Sequence, residues 1–324
     1  MKVLVTGGAG YIGSHLVKLL LNKNYEVVII DNLSRGHKEA IPEKVKFEQV
    51  DLLHYDNLLS AIRDHQVEAV IHFAAFAYVG ESVENPGLYY LNNVTGSINL
   101  INALHKINVK KIVFSSTCSL YGNPASIPIS EDESLKPINP YAKTKYMIEN
   151  VLSDFDTSFG LKFASLRYFN AAGADFSGQI GESHDPEPHL IPIVLQTALG
   201  KRDKVVINGN DYATQDGTCI RDYIHVNDLA DAHIKALEYL NNSESSVIVN
   251  LGTGNGYSVK EIIENAGEIT GKKIKNVIGP RRHGDPAVLI ADNKKAKEIL
   301  GWFPKYGLKE IISSAWEWHK NQKY

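Results

Sequence analysis

Lys2-Val3-Leu4-Val5-Thr6-Gly7-Gly8-Ala9-Gly10-Tyr11-Ile12-Gly13 is the stretch that decides the fold. An unbroken apolar run ends in a glycine-rich turn, and the residues from Tyr11 onward take up helical periodicity. Gly7, Gly10 and Gly13 permit a tight turn, close backbone approach to a pyrophosphate and tight helix-on-strand packing. The helix start supplies free N–H groups and the positive end of a dipole. A second apolar run, Glu26 to Ile30, leads to Asp31, about twenty residues on, where a carboxylate accepts both hydroxyls of an adenosine ribose. Asp31 also repels a 2′-phosphate, which favours NAD over NADP, and Arg35 stands close enough to soften that preference.

Outward from this turn, short Val/Ile-rich runs alternate with amphipathic stretches, the rhythm of βαβ units around a buried parallel sheet. Strands are predicted at Lys2 to Thr6, Glu26 to Ile30, Val45 to Val50, Ala69 to Phe73, Lys111 to Ser115 and Phe163 to Leu166. Helices are predicted at Tyr11 to Leu21, Leu58 to Asp64, Leu88 to Lys106 and Tyr141 to Phe159, with Pro86 and Pro140 as start signals. Beyond Asn170 the chain turns loop-rich from Ala171 to His189 before an apolar helix, Leu190 to Leu199. The remainder mixes strands (Val205 to Ile207, Val247 to Leu251, Ile274 to Ile278) with helices near Asn227 to Leu240, Ser258 to Ile269 and Leu308 to Lys320. The expected architecture is α/β: a Rossmann-type doubly wound parallel sheet with a smaller C-terminal α/β substrate domain. Residues 1–172, with a return segment about 218–250, form the expected dinucleotide domain, and 173–324 the substrate domain.

The 324 residues, 44% of them hydrophobic, suffice for one large core or two linked ones. With 34 Lys plus Arg against 37 Asp plus Glu, the net charge is -3, so no global basic field attracts nucleic acid or an anionic membrane. Cys118 and Cys219 stand far apart without CxxC or His-rich spacing, which argues for reduced thiols and against a disulfide framework or a zinc site; no metal is expected. No signal-peptide pattern precedes Val3, and the least polar long stretch, Ala69 to Gly80, is too short to span a bilayer. The expected location is cytoplasmic.

Tyr141 and Lys145 open a helix behind Asn139-Pro140, four positions apart and therefore on one face. An ammonium beside a phenol favours the phenolate, as a general base requires, and a nicotinamide's positive charge pushes the same way. Ser115-Ser116-Thr117 brings hydroxyls to the C-terminal end of the fifth strand, the edge where ligands bind in open α/β sheets.

These features carry a resemblance over essentially the whole chain to the UDP-glucose 4-epimerase family of extended short-chain dehydrogenases/reductases. The matching segments are TGGAGYIGSH from Thr6, DNLSRGH from Asp31, HFAA from His72, SSTCSLYG from Ser115, NPYAKTK from Asn139 and RYFNAAG from Arg167. GNDYATQDGTCIRDYIHV from Gly209 and PRRHGDPA from Pro280 are the more selective ones. The resemblance implies Tyr141 as base, Lys145 as its tuner and nicotinamide-ribose ligand, and Thr117 as a bridge to the sugar 4-hydroxyl. It implies NAD contacts at Gly7, Gly10, Tyr11, Ile12, Gly13, Asp31, Asn32, Ser34, Arg35, Gly36, Asp51, Leu52, Phe73, Ala74, Asn92, Lys145 and Phe169. It further implies UDP-sugar contacts at Asn170, His189, Leu190, Val206, Asn208, Arg221, Arg282, Asp285 and Leu289. A diphosphate suits two arginines, and a carboxylate at Asp285 suits a ribose hydroxyl.

Two positions depart from the family pattern. Ala77 stands where many relatives carry Lys beside the nicotinamide, and Leu289, of intermediate size, leaves N-acetylated and pentose UDP-sugars open. The activity implied is interconversion of UDP-galactose and UDP-glucose through a 4-keto intermediate, in a homodimer joined by a four-helix contact. A nucleotide-sugar 4,6-dehydratase or decarboxylase remains the alternative, although Cys118 and Ser119 follow Thr117 where a dehydratase carries Asp and Glu. A non-catalytic dinucleotide sensor is the remote one, since it could dispense with the Tyr and Lys pair.

Overall fold

In the computed structural model, which describes residues 1–282 and 285–324, seven strands form one parallel sheet. They are β1 (Lys2–Thr6), β2 (Glu26–Asp31), β3 (Lys46–Gln49), β4 (Ala69–His72), β5 (Lys111–Thr117), β6 (Lys162–Tyr168) and a last one at Val247–Leu251. The order across the sheet is β3-β2-β1-β4-β5-β6 and then Val247–Leu251. Such strands are buried on both faces, so their sequences are continuously apolar; Val3, Leu4 and Val5 are fully covered. The order reverses between β1 and β4, which opens a crevice beyond their C-terminal ends.

Helix α1 (Tyr11–Asn22) and the helix Val226–Asn242 close one face, burying Leu16, Leu20 and Leu237. On the other lie α2 (Tyr55–His65) and the helices Gly96–Lys106 and Pro140–Phe159, through Leu58, Leu104 and Leu152. The helix expected at Leu88 to Lys106 is instead two α-helical stretches, Pro86–Tyr89 and Gly96–Lys106, joined by a π-helical turn at Tyr90–Thr95. Buried Asn93 in that turn accepts from the Phe76 N–H and donates to the Phe76 carbonyl and the Thr144 hydroxyl. The widened turn thus ties the loop after β4 to the helix that carries Tyr141, a common setting for π-turns.

The rest of the chain packs the helices Leu190–Ala198, Val259–Thr270 and Leu308–Lys320 together through Leu195, Ile262 and Ile311. Beside them Val205–Asn208 pairs in parallel with Asn276–Gly279. Strands of two or three residues, too short for any periodicity, do the positioning. Ile220–Arg221 lies between Tyr257–Ser258 and Val288–Leu289 with Leu289 opposite Arg221, and Asn170–Ala172 pairs with Tyr223–His225. His283 and Gly284, within the PRRHGDPA segment, lie outside the described residues.

Candidate functional site

One cavity of about 1040 Å³ lies at the crevice, and every residue assigned above to base chemistry, dinucleotide or sugar nucleotide lines it, Gly7, Tyr141, Asp285 and Leu289 among them. At the glycine turn, Gly7 has φ +74, and a Cβ there would sit 2.6 Å from the Ala74 amide nitrogen. A Cβ on Gly13 would sit 2.2 Å from the Gly7 carbonyl oxygen, so only glycine lets α1 start this close to β1. No side chain caps α1 at Gly10, which leaves its first N–H groups aimed into the crevice.

Asp31 ends β2 with one carboxylate oxygen on the Ala9 N–H (3.0 Å) and the other on the Leu33 N–H (2.8 Å). Burial raises its pKa, and these two amides pull it back. Asn32 donates to Asp51 at 2.9 Å, which joins the ends of β2 and β3 at the cavity wall. Arg35 is paired with Glu81 at 2.5 Å and lies against the Phe76 and Tyr78 rings. Its charge is therefore met within the protein, which removes much of its ability to recruit a 2′-phosphate. Ala77 also faces the cavity.

The helix Pro140–Phe159 begins where Asn139 accepts from the Ala142 N–H and proline occupies the first turn. That start fixes Tyr141 and Lys145, both buried, against the end of β5. Lys145 Nζ donates to the Ser115 carbonyl at 2.7 Å and lies 6.0 Å from the centre of the Tyr141 ring. Burial pushes the lysine pKa down to about 7, against the pull of Glu149. Burial also holds the Tyr141 phenol well above its ordinary value, while the Thr117 hydroxyl, by hydrogen bonding, lowers it. Helical spacing alone predicts a tyrosine lowered by its lysine; in the folded protein desolvation dominates and raises it, and a bound cation would act in the lowering direction.

Of the three hydroxyls at the end of β5, that of Thr117 acts on Tyr141, and its Oγ1 also accepts from the Ser119 N–H at 3.2 Å. Ser115 hydrogen-bonds the Tyr168 hydroxyl at 2.6 Å, and Ser116 donates to Glu149 at 2.6 Å. Glu149, one more helical turn beyond Lys145, also receives Ser165 (2.8 Å) and both Nε (3.0 Å) and Nη2 (2.6 Å) of buried Arg167. Sequence reasoning missed Glu149, although the spacing Tyr141, Lys145, Glu149 repeats every four positions and marks one face.

Elsewhere in the lining, Arg221 is ion-paired with Asp285, whereas Arg282 is exposed on the cavity rim. Leu289 is buried in the wall beside Cys118 and Phe169. Val206, assigned to the sugar nucleotide, is 47% exposed at the mouth. Both cysteines are free thiols; burial lifts Cys118 to about 12, so it is no nucleophile at neutral pH.

His189 lines the cavity with its side chain 42% exposed, and its Nδ1 is engaged by two carboxylates. Its Nδ1 lies 2.7 Å from Glu182 and 3.0 Å from Glu187, and His184 Nδ1 lies 3.3 and 3.6 Å from the same two residues. Burial disfavours the charged form of His189, but the two carboxylates outweigh it and raise its pKa to about 10. Glu182, His184 and Glu187 were missed in the sequence, where the signal is the spacing E-x-H-x-x-E-x-H.

The profile of the NAD dependent epimerase/dehydratase family matches residues 3–252. A UDP-glucose 4-epimerase of Halalkalibacterium halodurans is 52% identical over 326 residues, covering 100% of this chain and 97% of its own. The crystal structure of UDP-glucose 4-epimerase from Brucella ovis in complex with NAD superposes with a TM-score of 0.95 at 47% identity, covering 97% of each chain. That of the Bifidobacterium longum UDP-glucose 4-epimerase in complex with NAD+ and UDP gives 0.95 at 37% identity, covering 99% of each.

Proposed function

Since this chain belongs to the NAD dependent epimerase/dehydratase family, we infer that it interconverts UDP-galactose and UDP-glucose by inverting C4 with NAD. The observation that carries the reading is one cavity lined together by the glycine turn and Asp31, by buried Tyr141, Lys145 and Thr117, and by Arg221 and Arg282.

NAD, held by the glycine turn, Asp31 and Lys145, would supply a reversible hydride acceptor for C4, by which the sugar would pass through a 4-keto form, and a positive charge favouring the phenolate. Tyr141 Oη takes the 4-hydroxyl proton and gives one back, and Thr117 holds the tyrosine and the sugar oxygen in line. Lys145 fixes the end of β5 through Ser115 and presents its ammonium to the tyrosine and the cofactor ribose. Arg221 and Arg282 neutralise the diphosphate by charge-assisted hydrogen bonds, which requires Asp285 to release Arg221 in part and turn to the ribose. Inversion requires the keto sugar to present its other face to the same cofactor, and the walls from 173–324 enclose it meanwhile. Cys118 and Ser119 after Thr117 offer no carboxylate for elimination, which disfavours a dehydratase.

Residues 1–172, with 218–250, are the dinucleotide-binding part in this reading, and 173–324 hold the sugar nucleotide. A buried Leu289 leaves a wall of moderate size, so N-acetylated or pentose UDP-sugars are secondary substrates. Leu91, exposed in the π-helical turn, and Met147, exposed on the helix Pro140–Phe159, support a homodimer. Among the described residues, no helix is long and apolar enough to cross a membrane. A cytoplasmic enzyme, with no role for nucleic acid, fits the charge balance.

Incubation of the purified protein with UDP-galactose, without added NAD, is expected to yield UDP-glucose by NMR. No conversion, with or without NAD and with UDP-GlcNAc or UDP-xylose in its place, would reject the reading. Replacing Gly13 with Ala forces a Cβ onto the Gly7 carbonyl and is expected to weaken NAD retention by at least about tenfold, since a displaced helix start costs more than 1.4 kcal/mol of diphosphate binding. Cofactor released on denaturing the purified variant checks this; a full complement would show that the turn is not the diphosphate seat.

A further inference from the structure

We propose that Glu182, His184, Glu187 and His189 bind one divalent transition-metal ion of the zinc class, which would clamp the segment from Gly181 to Leu190 at the edge of the cavity. The four residues come from eight consecutive positions, and one ligand atom of each lies within 4.8 Å of every other. Two imidazole nitrogens and two carboxylate oxygens are a donor set that zinc takes in tetrahedral geometry, at about 2.0–2.2 Å from each ligand. Those bond lengths place tetrahedral ligand atoms roughly 3.3–3.5 Å apart. Glu182 Oε1 lies 2.7 Å from His189 Nδ1 and 3.3 Å from His184 Nδ1, while Glu187 presents Oε1 to His189 at 3.0 Å and Oε2 to His184 at 3.6 Å, separations close to that edge.

Burial of the two carboxylates separates the arrangement from a surface ion-pair cluster, although the His189 side chain is 42% exposed. Glu182 and Glu187 are 4% and 6% exposed, and two like charges so close and so deeply buried need a compensating +2. Protonating both imidazoles supplies it in one way; a divalent ion with two neutral imidazoles supplies the same charge in another and releases two protons. Hydrogen bonding alone leaves the cluster incomplete. Among the described residues, Glu187 Oε2 and His184 Nδ1 are buried without a well-formed hydrogen bond, 3.6 Å apart, with Glu182 Oε1 3.3 Å from the same nitrogen. A divalent ion held by the four atoms would meet both of these unpaired groups at once.

The surroundings fit a fixed structural site. The Glu182 carbonyl accepts from the Trp318 indole at 2.8 Å, and Gly181 packs so tightly on that ring that a Cβ would sit 2.4 Å from it. Glu187 Oε1 also accepts the His189 backbone N–H at 2.9 Å, an outer contact of the kind that orients metal-binding carboxylates. The Tyr78 ring stands edge-on to both imidazoles and so helps shelter them. Four protein ligands leave no open coordination position, so the ion would be structural and take no part in the sugar chemistry. The expectation of no zinc site rested on cysteine spacing, which is blind to this His/Glu pattern.

The test is a zinc titration of chelator-treated, NAD-containing enzyme, read by calorimetry and by elemental analysis after gel filtration. One zinc per chain is expected, with a raised melting temperature, and cobalt in its place should give the intense visible bands of a four-coordinate ion. The variants Glu187→Gln and His184→Gln should each bind at least about 100-fold more weakly, as loss of a direct ligand exceeds the 10–100-fold typical of outer-shell changes. The proposal fails if the wild-type chain retains no zinc, if cobalt gives only the weak bands of a six-coordinate surface ion, or if both variants bind as tightly as wild type. The wild-type titration can overturn the proposal by itself, so a variant that does not fold takes nothing from the test, and none of these readouts depends on turnover.

Discussion

Tyr141→Phe is expected to lower kcat for UDP-galactose by about 10²–10⁴-fold, the range by which a lost general base slows a reaction. The ring is buried against the end of β5, and the change deletes one oxygen without opening a cavity of side-chain size. The fold and the NAD content should therefore survive. UDP affinity should survive too, because the diphosphate is held by Arg221 and Arg282 and not by the phenol. The loss should fall on kcat rather than KM, because the phenol's proton moves in the transition state while its ground-state contact with the 4-hydroxyl is one weak bond among many. Steady-state kinetics beside calorimetric titration with UDP separates the two. Turnover within tenfold of wild type would remove Tyr141 as the base, and an equal loss of UDP affinity would make it a binding residue.

The legible parts of this chain were those where one residue pattern has one physical solution. Val3 to Val5 before Gly7 could only be a buried strand feeding a tight turn, and Asn139-Pro140 could only start a helix. Tyr141 and Lys145 followed, because helical spacing alone puts them on one face. What stayed hidden depends on contacts distant in sequence. The π-turn at Tyr90–Thr95 is held by Asn93 reaching Phe76 and Thr144, and nothing in Leu88 to Lys106 announces those partners. Arg221 and Leu289 become neighbours through strands of two residues each, below the length at which alternation can be read. The tyrosine's pKa likewise reversed direction, since burial is a property of the packed protein and the helical spacing records only the lysine.

Glu149→Gln should be the most destabilising single change near the site, costing about 3–5 kcal/mol, because it leaves a buried cation without its counter-ion. Arg167 and Glu149 are each 4% exposed, and the carboxylate collects both Arg167 contacts together with the Ser116 and Ser165 hydroxyls. A glutamine of the same shape turns an amide donor toward a guanidinium that only donates, so at least one contact becomes a repulsion. Denaturant unfolding measures the loss. The double variant Glu149→Gln, Arg167→Gln should recover most of it, since two neutral amides can pair with each other and carry no buried charge. A cost below about 1 kcal/mol for the single change would mean that the pair is exposed to water in solution. The same substitution reaches the chemistry through Lys145, whose ammonium Glu149 stabilises against a burial that already brings its pKa down to about 7. With Glu149 neutral, Lys145 loses its proton at lower pH still. The kcat–pH profile of the variant should then fall on its alkaline side at lower pH than that of wild type, whereas a purely structural role would lower the whole profile without moving it.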